Sequence, residues 1–251
     1  MTKIKILVWL VMGLVACKNQ KDNEAKIQNE VMGVVIEHGK ESYQTSKWEI
    51  LFDGTSMDSW RGYLMEQMPE SWTIEDGAMV FMPKKGGGNI ITKKKYTNFE
   101  LYLEWKISEG GNSGFFWGVS EDEAFNQPYQ TGPEIQVLDN ERHPDAFKNP
   151  KFHQAGALYD LVQPKYDVCK PAGQWNACVL KIDYNANHGS VTLNGKEIVE
   201  FPLKGKPWED LVENSKFKGW EGFGVHHTGH IGLQDHGDKV WYKNIKIRAL
   251  N

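Results

Sequence analysis

The segment Pro133-Glu-Ile-Gln-Val-Leu-Asp139 sets a carboxylate and an amide two residues apart, with apolar Ile135 and Val137 in the alternate positions. On a strand, successive side chains point to opposite faces, so Glu134 and Gln136 share one face and Ile135 and Val137 the other. A carboxylate and an amide held rigidly together suit hydrogen bonding to sugar hydroxyls. A plain solvated face is the alternative reading. Asp139 has the wrong parity to pair with Glu134 in the manner of a two-carboxylate glycosidase. It stands instead as a substrate-binding candidate at the end of the strand.

A second segment, Gly229-His-Ile-Gly-Leu-Gln-Asp-His-Gly237, turns Ile231 and Leu233 inward and leaves Gln234 and His236 at a glycine-flanked strand end. Such a pair can face a ligand; the alternative is a histidine satisfied in a turn by Asp235 or Asp238. His226 and His227 add imidazoles nearby, but their spacing matches no familiar ligand motif, and no Asp-rich calcium loop is present. No metal ligand is therefore assigned, and a divalent metal stays open. Trp220, in the glycine-rich Lys218-Gly-Trp-Glu-Gly222, can stack on a sugar ring or simply anchor its loop. Trp105 and Trp117 sit in apolar patterns and read as core. There is no Gly-x-Ser-x-Gly elbow, P-loop or His-Glu-x-x-His helix. Gly86-Gly-Gly-Asn89 follows no Rossmann-type strand, so no cofactor motif is found.

The elements that must position these residues read as β. Phe99 to Ile107 alternates apolar and polar, and Phe115 to Val119 is an apolar run typical of a strand buried on both faces. Strands are expected at Val179–Tyr184, Ser190–Leu193, Lys196–Phe201, Ile231–Gln234 and Val240–Arg248, with Asn194-Gly195 as a hairpin turn. Only Pro207 to Asn214 reads as a short helix. Many short strands with core and solvent faces point to an all-β sandwich of two antiparallel sheets.

Composition sets outer bounds. The 251 residues hold 33 acidic and 29 basic side chains, a net charge of −4, which argues against a nucleic-acid partner. With 40% hydrophobic and 12% aromatic residues, the chain has enough apolar surface to form a core. Its one long apolar run, Ile6 to Val15, follows Lys3 and Lys5 and is too short to span a bilayer. It ends in Leu14-Val-Ala-Cys17, which resembles the lipobox of bacterial lipoproteins. Residues 1–16 are thus expected to be a signal peptide, Cys17 the lipidated residue, residues 17–47 a polar tether and 48–251 one folded domain. The only membrane association expected is through the lipid, and the location is the cell envelope. Loss of Lys3 and Lys5 with the signal peptide moves the net charge from −4 to −6. Val31 to Ile36 can form a short strand. Cys169 and Cys178 remain, as a disulfide or as two thiols.

Taken in order, Trp48-Glu-Ile-Leu-Phe-Asp-Gly54, Trp72-Thr-Ile-Glu-Asp-Gly77, Gly111-Asn-Ser-Gly114, Pro133 to Asp139, Gly156-Ala-Leu-Tyr159, Lys170 to Asn176 and Ile231-Gly-Leu-Gln-Asp-His-Gly-Asp238 resemble the 3-keto-disaccharide hydrolase domain family. The resemblance runs from about residue 48 to 249. It implies a concanavalin A-like jelly roll and cleavage of glycosides already oxidised at carbon 3 by a separate sugar oxidoreductase. A ketone there acidifies the hydrogen on carbon 2, so the site needs a base, an acid for the leaving oxygen and stabilisation of the enolate. On this resemblance Glu134 is the candidate base and His153 or His236 the acid or enolate donor, while Gln136, Tyr159 and Gln234 hold hydroxyls. The segment from Phe217 to Gly229 is longer than these motifs lead one to expect and can reshape the cleft. A conventional glucan hydrolase and a non-catalytic carbohydrate-binding lipoprotein are the competing readings.

Overall fold

A computed structural model describes residues 47–83 and 85–250. The expected signal peptide, Cys17, the expected tether up to residue 46 and the expected strand over Val31–Ile36 lie outside the described residues. Among the described residues, thirteen strands follow in chain order: β1 (Glu49–Phe52), β2 (Trp60–Gly62), β3 (Trp72–Glu75), β4 (Ala78–Phe81), β5 (Ile90–Thr92), β6 (Phe99–Ile107) and β7 (Asn112–Val119), then β8 (Glu134–Leu138), β9 (Asn176–Asp183), β10 (His188–Leu193), β11 (Lys196–Phe201), β12 (His230–Leu233) and β13 (Val240–Ala249). One turn of helix, α1 (Pro150–His153), follows β8, and α2 (Lys206–Glu213) follows β11 at nearly the place expected.

The strands form two antiparallel sheets, the architecture of a jelly-roll sandwich. One is ordered β11-β10-β9-β6-β13-β4-β3, with β1 also paired to β13; the other is ordered β2-β5-β12-β7-β8. Alternation decides what goes between them. In β6, Phe99, Leu101, Leu103, Trp105 and Ile107 are buried while the residues between them are half-exposed. They join Phe115 and Trp117 of β7, Ile135 and Val137 of β8, and Ile231 and Leu233 of β12 in one core. Trp105 and Trp117 are both core residues, as their patterns imply. The Asn194-Gly195 hairpin forms as expected. Both residues adopt positive φ, 50° and 82°, the geometry a tight two-residue hairpin demands.

β8 lies at an edge of the five-stranded sheet, where free backbone groups must find partners. The segment Gly156–Tyr159 supplies them. Gln136 N donates to Ala157 O at 3.1 Å, Gly156 N to Gln136 O at 2.8 Å, and Tyr159 N to Glu134 O at 2.9 Å. Every residue of β8 is consequently buried, so the plain solvated-face reading of Glu134 and Gln136 does not hold. Cys169 and Cys178 are free thiols, Cys178 inside the core. Among the described residues, no helix is long and apolar enough to cross a membrane.

Candidate active site

Because Phe115, Trp117, Ile135, Val137, Ile231 and Leu233 turn toward the other sheet, Gly114, Glu134 and Gln136 must turn the opposite way. There Glu134 and Gln136 floor a cavity of about 310 Å³, lined also by Asn112, Tyr129, Tyr159, Lys216, Phe217, Trp220, Gln234 and His236. Glu134 is 8% exposed, and its Oε2 accepts from Gln234 Nε2 at 3.1 Å. Gly114 makes room for it. A Cβ there would stand 2.7 Å from both Cγ and Cδ of Glu134 and closer still to Oε1. Gly114 O also accepts from Gln234 N at 2.9 Å, which fixes the end of β12 beside Glu134. That end is further clamped by Asp235, whose carboxylate accepts from Gly88 N at 2.7 Å and from Gly237 N at 2.9 Å. Asn89 Oδ1 accepts from Asp235 N at 3.0 Å. The Gly86-Gly-Gly-Asn89 turn is therefore a fastener for the site.

Burial dominates the electrostatics. It pushes the Glu134 carboxyl up to about 8, against the pull of Lys216 and the Gln234 hydrogen bond. Burial likewise lowers Lys216 from the usual lysine value, while Glu134, Asp160 and Asp145 oppose that shift. Lys216 is held by its backbone N, which donates to Asp160 Oδ2 at 2.7 Å, and its Nζ lies 4.0 Å from the centre of the Tyr159 ring. Tyr159 OH donates to Asp145 Oδ2 at 3.1 Å, and burial raises its phenol well above the usual value. Three nearly buried amide oxygens of the lining, Asn112 Oδ1, Gln136 Oε1 and Gln234 Oε1, have no hydrogen-bond partner within the protein. Buried acceptors of this kind are costly unless something donates to them.

At the mouth, Tyr129 and Trp220 are 38% and 37% exposed, with ring centroids 6.2 Å apart. Trp220 is held edge-on to Phe217 at 5.3 Å, and Phe217 stacks on Phe223 at 3.8 Å. Trp208 of α2 lies parallel to Phe223 at 6.4 Å. The helix and loop between β11 and β12 thus form an aromatic block that presents Lys216 and Trp220 to the cavity.

Of the residues singled out in the sequence, Glu134, Gln136, Tyr159, Trp220, Gln234 and His236 converge on this cavity. Two do not. Asp139 is 2% exposed and lies just beyond β8. It accepts from Gly110 N at 2.7 Å, Glu141 N at 3.1 Å and Arg142 Nη1 at 3.2 Å, so it ties down two turns rather than binding substrate. His153 is displaced from the acid role at the cavity because it sits behind Tyr159, its ring stacked at 4.5 Å and its Nε2 3.0 Å from Asp160 Oδ1. Sequence reasoning missed Lys216, Asn112, Tyr129 and Phe217 as lining residues. Asn112 lies inside the Gly111-Asn-Ser-Gly114 motif, so a signal existed for it. Lys216 follows a helix in a loop and carries no local mark.

A jelly-roll sandwich whose pocket joins a carboxylate, amides and aromatic rings belongs to the class of proteins built to hold a carbohydrate. Residues 47–248 match the 3-keto-alpha-glucoside-1,2-lyase-like domain, and the chain belongs to that family. A relative named 3-keto-disaccharide hydrolase, from Bacteroides thetaiotaomicron, is 35% identical over 95% of this chain and 94% of its own length. Two solved structures from Parabacteroides distasonis, each provisionally assigned as a glycosyl hydrolase, are also similar. One is 27% identical with a TM-score of 0.75, covering 85% of this chain and 98% of its own. The other is 28% identical with a TM-score of 0.62, covering 81% of this chain and 100% of its own.

Proposed function

We propose that this chain cleaves glycosides bearing a ketone at carbon 3, by proton abstraction from carbon 2, elimination and addition of water. The carrying observation is that, among the described residues, Glu134 is the one carboxylate lining the cavity. Two-carboxylate hydrolysis needs a second carboxyl group about 5–10 Å away facing the same bond. Asp145 holds Tyr159, and Asp160 holds His153 and Lys216. A lone base of raised pKa suits abstraction of a proton from carbon, because a more basic carboxylate removes it with greater driving force.

In this mechanism Glu134 takes the carbon-2 hydrogen, and the electron pair left behind delocalises onto the carbon-3 oxygen as an enolate. Lys216 supplies the positive charge facing that oxygen. Collapse of the enolate breaks the bond from carbon 1 to the leaving oxygen, which takes a proton from water at the rim beside His236. Water then adds to carbon 1 of the enone and a proton returns to carbon 2, so the net reaction is hydrolysis. The free acceptors of Gln136 and Gln234 receive sugar hydroxyls, and Trp220 stacks on a ring. A sugar 3-oxidoreductase must supply the substrate.

The test is to incubate the purified protein with 3-keto-trehalose or 3-keto-lactose beside the unoxidised disaccharides. Release of 3-keto-glucose from the oxidised sugars alone is expected. Cleavage of the parent sugars would favour conventional hydrolysis, and binding without turnover would overturn the enzymatic reading.

A further inference from the structure

One ring nitrogen each of His143 and His236 and one carboxylate oxygen of Asp238 lie within 4.8 Å of one another. They come from two separate loops, one following β8 and the other joining β12 to β13. The rings of His143 and His236 meet edge to face, with centroids 6.2 Å apart. His236 is also a wall of the cavity. Two imidazoles and one carboxylate gathered this closely are the donor types that borderline divalent metals take, and a small closing movement would bring them onto one ion.

A second observation comes from Asn112, which is 3% exposed. Its Nδ2 stands 3.4 Å from His236 Nε2, and its backbone N donates to Asp238 Oδ2 at 3.0 Å. Its Oδ1 has no partner within the protein. Two donors about 2.1 Å from a common ion stand roughly 3.0–3.4 Å apart at octahedral or tetrahedral angles. Reversing the Asn112 amide, whose oxygen and nitrogen are nearly isosteric, would put Oδ1 at that spacing from His236. Asn112 would then supply an oxygen donor beside the three ligands.

We propose that His143, His236 and Asp238, joined by Asn112, bind one divalent transition-metal ion at the rim of the cavity. His143 Nδ1 now accepts from Asp145 N at 3.1 Å, capping a 3-10 turn. Coordination requires this ring to turn and exchange that single cap bond for the metal. A cation at this position would polarise a sugar oxygen and share with Lys216 the charge that develops there. That catalytic part rests on the reaction proposed above, whereas binding itself does not.

The experiment uses the whole chain without a polyhistidine tag, stripped by chelator and titrated with Co²⁺. Binding is followed by calorimetry and by the visible absorption of coordinated cobalt. One ion per chain is expected. His143→Gln and Asp238→Asn should each weaken binding about tenfold or more while circular dichroism shows an unchanged fold. His227→Gln, outside the cluster, should titrate like the parent protein, and so should Glu134→Gln. Absence of saturable Co²⁺ binding would overturn the proposal, as would His143→Gln and Asp238→Asn variants that bind like the parent. Failure to turn over 3-keto sugars with Co²⁺ binding intact would strike the functional reading and leave the metal site standing.

Discussion

Glu134 carries the sharpest consequences at the scale of single residues. Its folded value of about 8 lies above the ordinary 4.5, so between those two pH values the folded protein keeps a proton that the unfolded chain has released. Stability therefore falls as pH rises from about 4.5 to 8, because the unfolded state binds fewer protons. Glu134→Gln removes this cost while leaving a side chain able to meet Gln234. Thermal melts should show the variant stabilised by on the order of 1–3 kcal/mol at pH 9, or several degrees, with the gain vanishing below pH 4.5. The same variant should lose at least ~100-fold in kcat on a 3-keto disaccharide. In the parent protein kcat/KM should climb with pH up to about 8, as the carboxylate forms. A flat profile from pH 6 to 9 would remove Glu134 as the base. Lys216→Met keeps much of the stem and deletes the charge, so it should lower kcat by ~10–1,000-fold with a smaller change in KM. An unchanged kcat would remove Lys216 from the enolate role.

At the scale of elements, the site depends on how β7, β8 and the end of β12 lie against each other. Gly114 faces Gln136 across the β7–β8 pair and lies beneath the Glu134 carboxylate. Gly114→Ala puts a methyl group where that carboxylate now rests. The expected result is a loss of ~10–100-fold in kcat with a folded, cooperative protein, since a misplacement of about 1 Å costs this much. Gln136, Tyr159 and their neighbours form a second layer of dependence, because Tyr159 reaches the cavity through backbone pairing along the β8 edge. The parity of β8 was legible beforehand: Ile135 and Val137 inward, Glu134 and Gln136 outward. The burial of that outward face was not, because it is produced by a loop about twenty residues further along the chain. Periodicity describes a strand's two faces and is silent on what covers them.

At the scale of the whole molecule, the two cysteines and the N-terminus matter. Cys169 and Cys178 are thiols that burial pushes up to about 12, so they are poor nucleophiles at neutral pH. The melting temperature should be the same with and without a reductant; a drop on reduction would reveal a disulfide. We propose that Cys17 carries lipid and holds the domain at the cell envelope. Cys17→Ala should move the protein from the membrane fraction to the soluble one, and continued membrane association would refute the anchor. The net charge of −4 over the full chain gives it no general attraction for nucleic acid.

What the amino-acid order determined by itself was local: alternation along β6, the Asn194-Gly195 hairpin, the short helix near Pro207, and the two strand ends that hold Glu134, Gln136, Gln234 and His236. Each depends on backbone geometry and on neighbours within a few positions. Tertiary structure decided the rest. It removed Asp139 and His153 from the cavity, the first because it fastens turns beyond the end of its strand and the second because Tyr159 stands in front of it. It added Lys216 and Asn112, and it brought His143 to His236 across more than ninety positions of sequence. Closure of a cavity is long-range: loops from both sides of the chain meet only after the two sheets have packed, and no periodicity records which residues will face each other there.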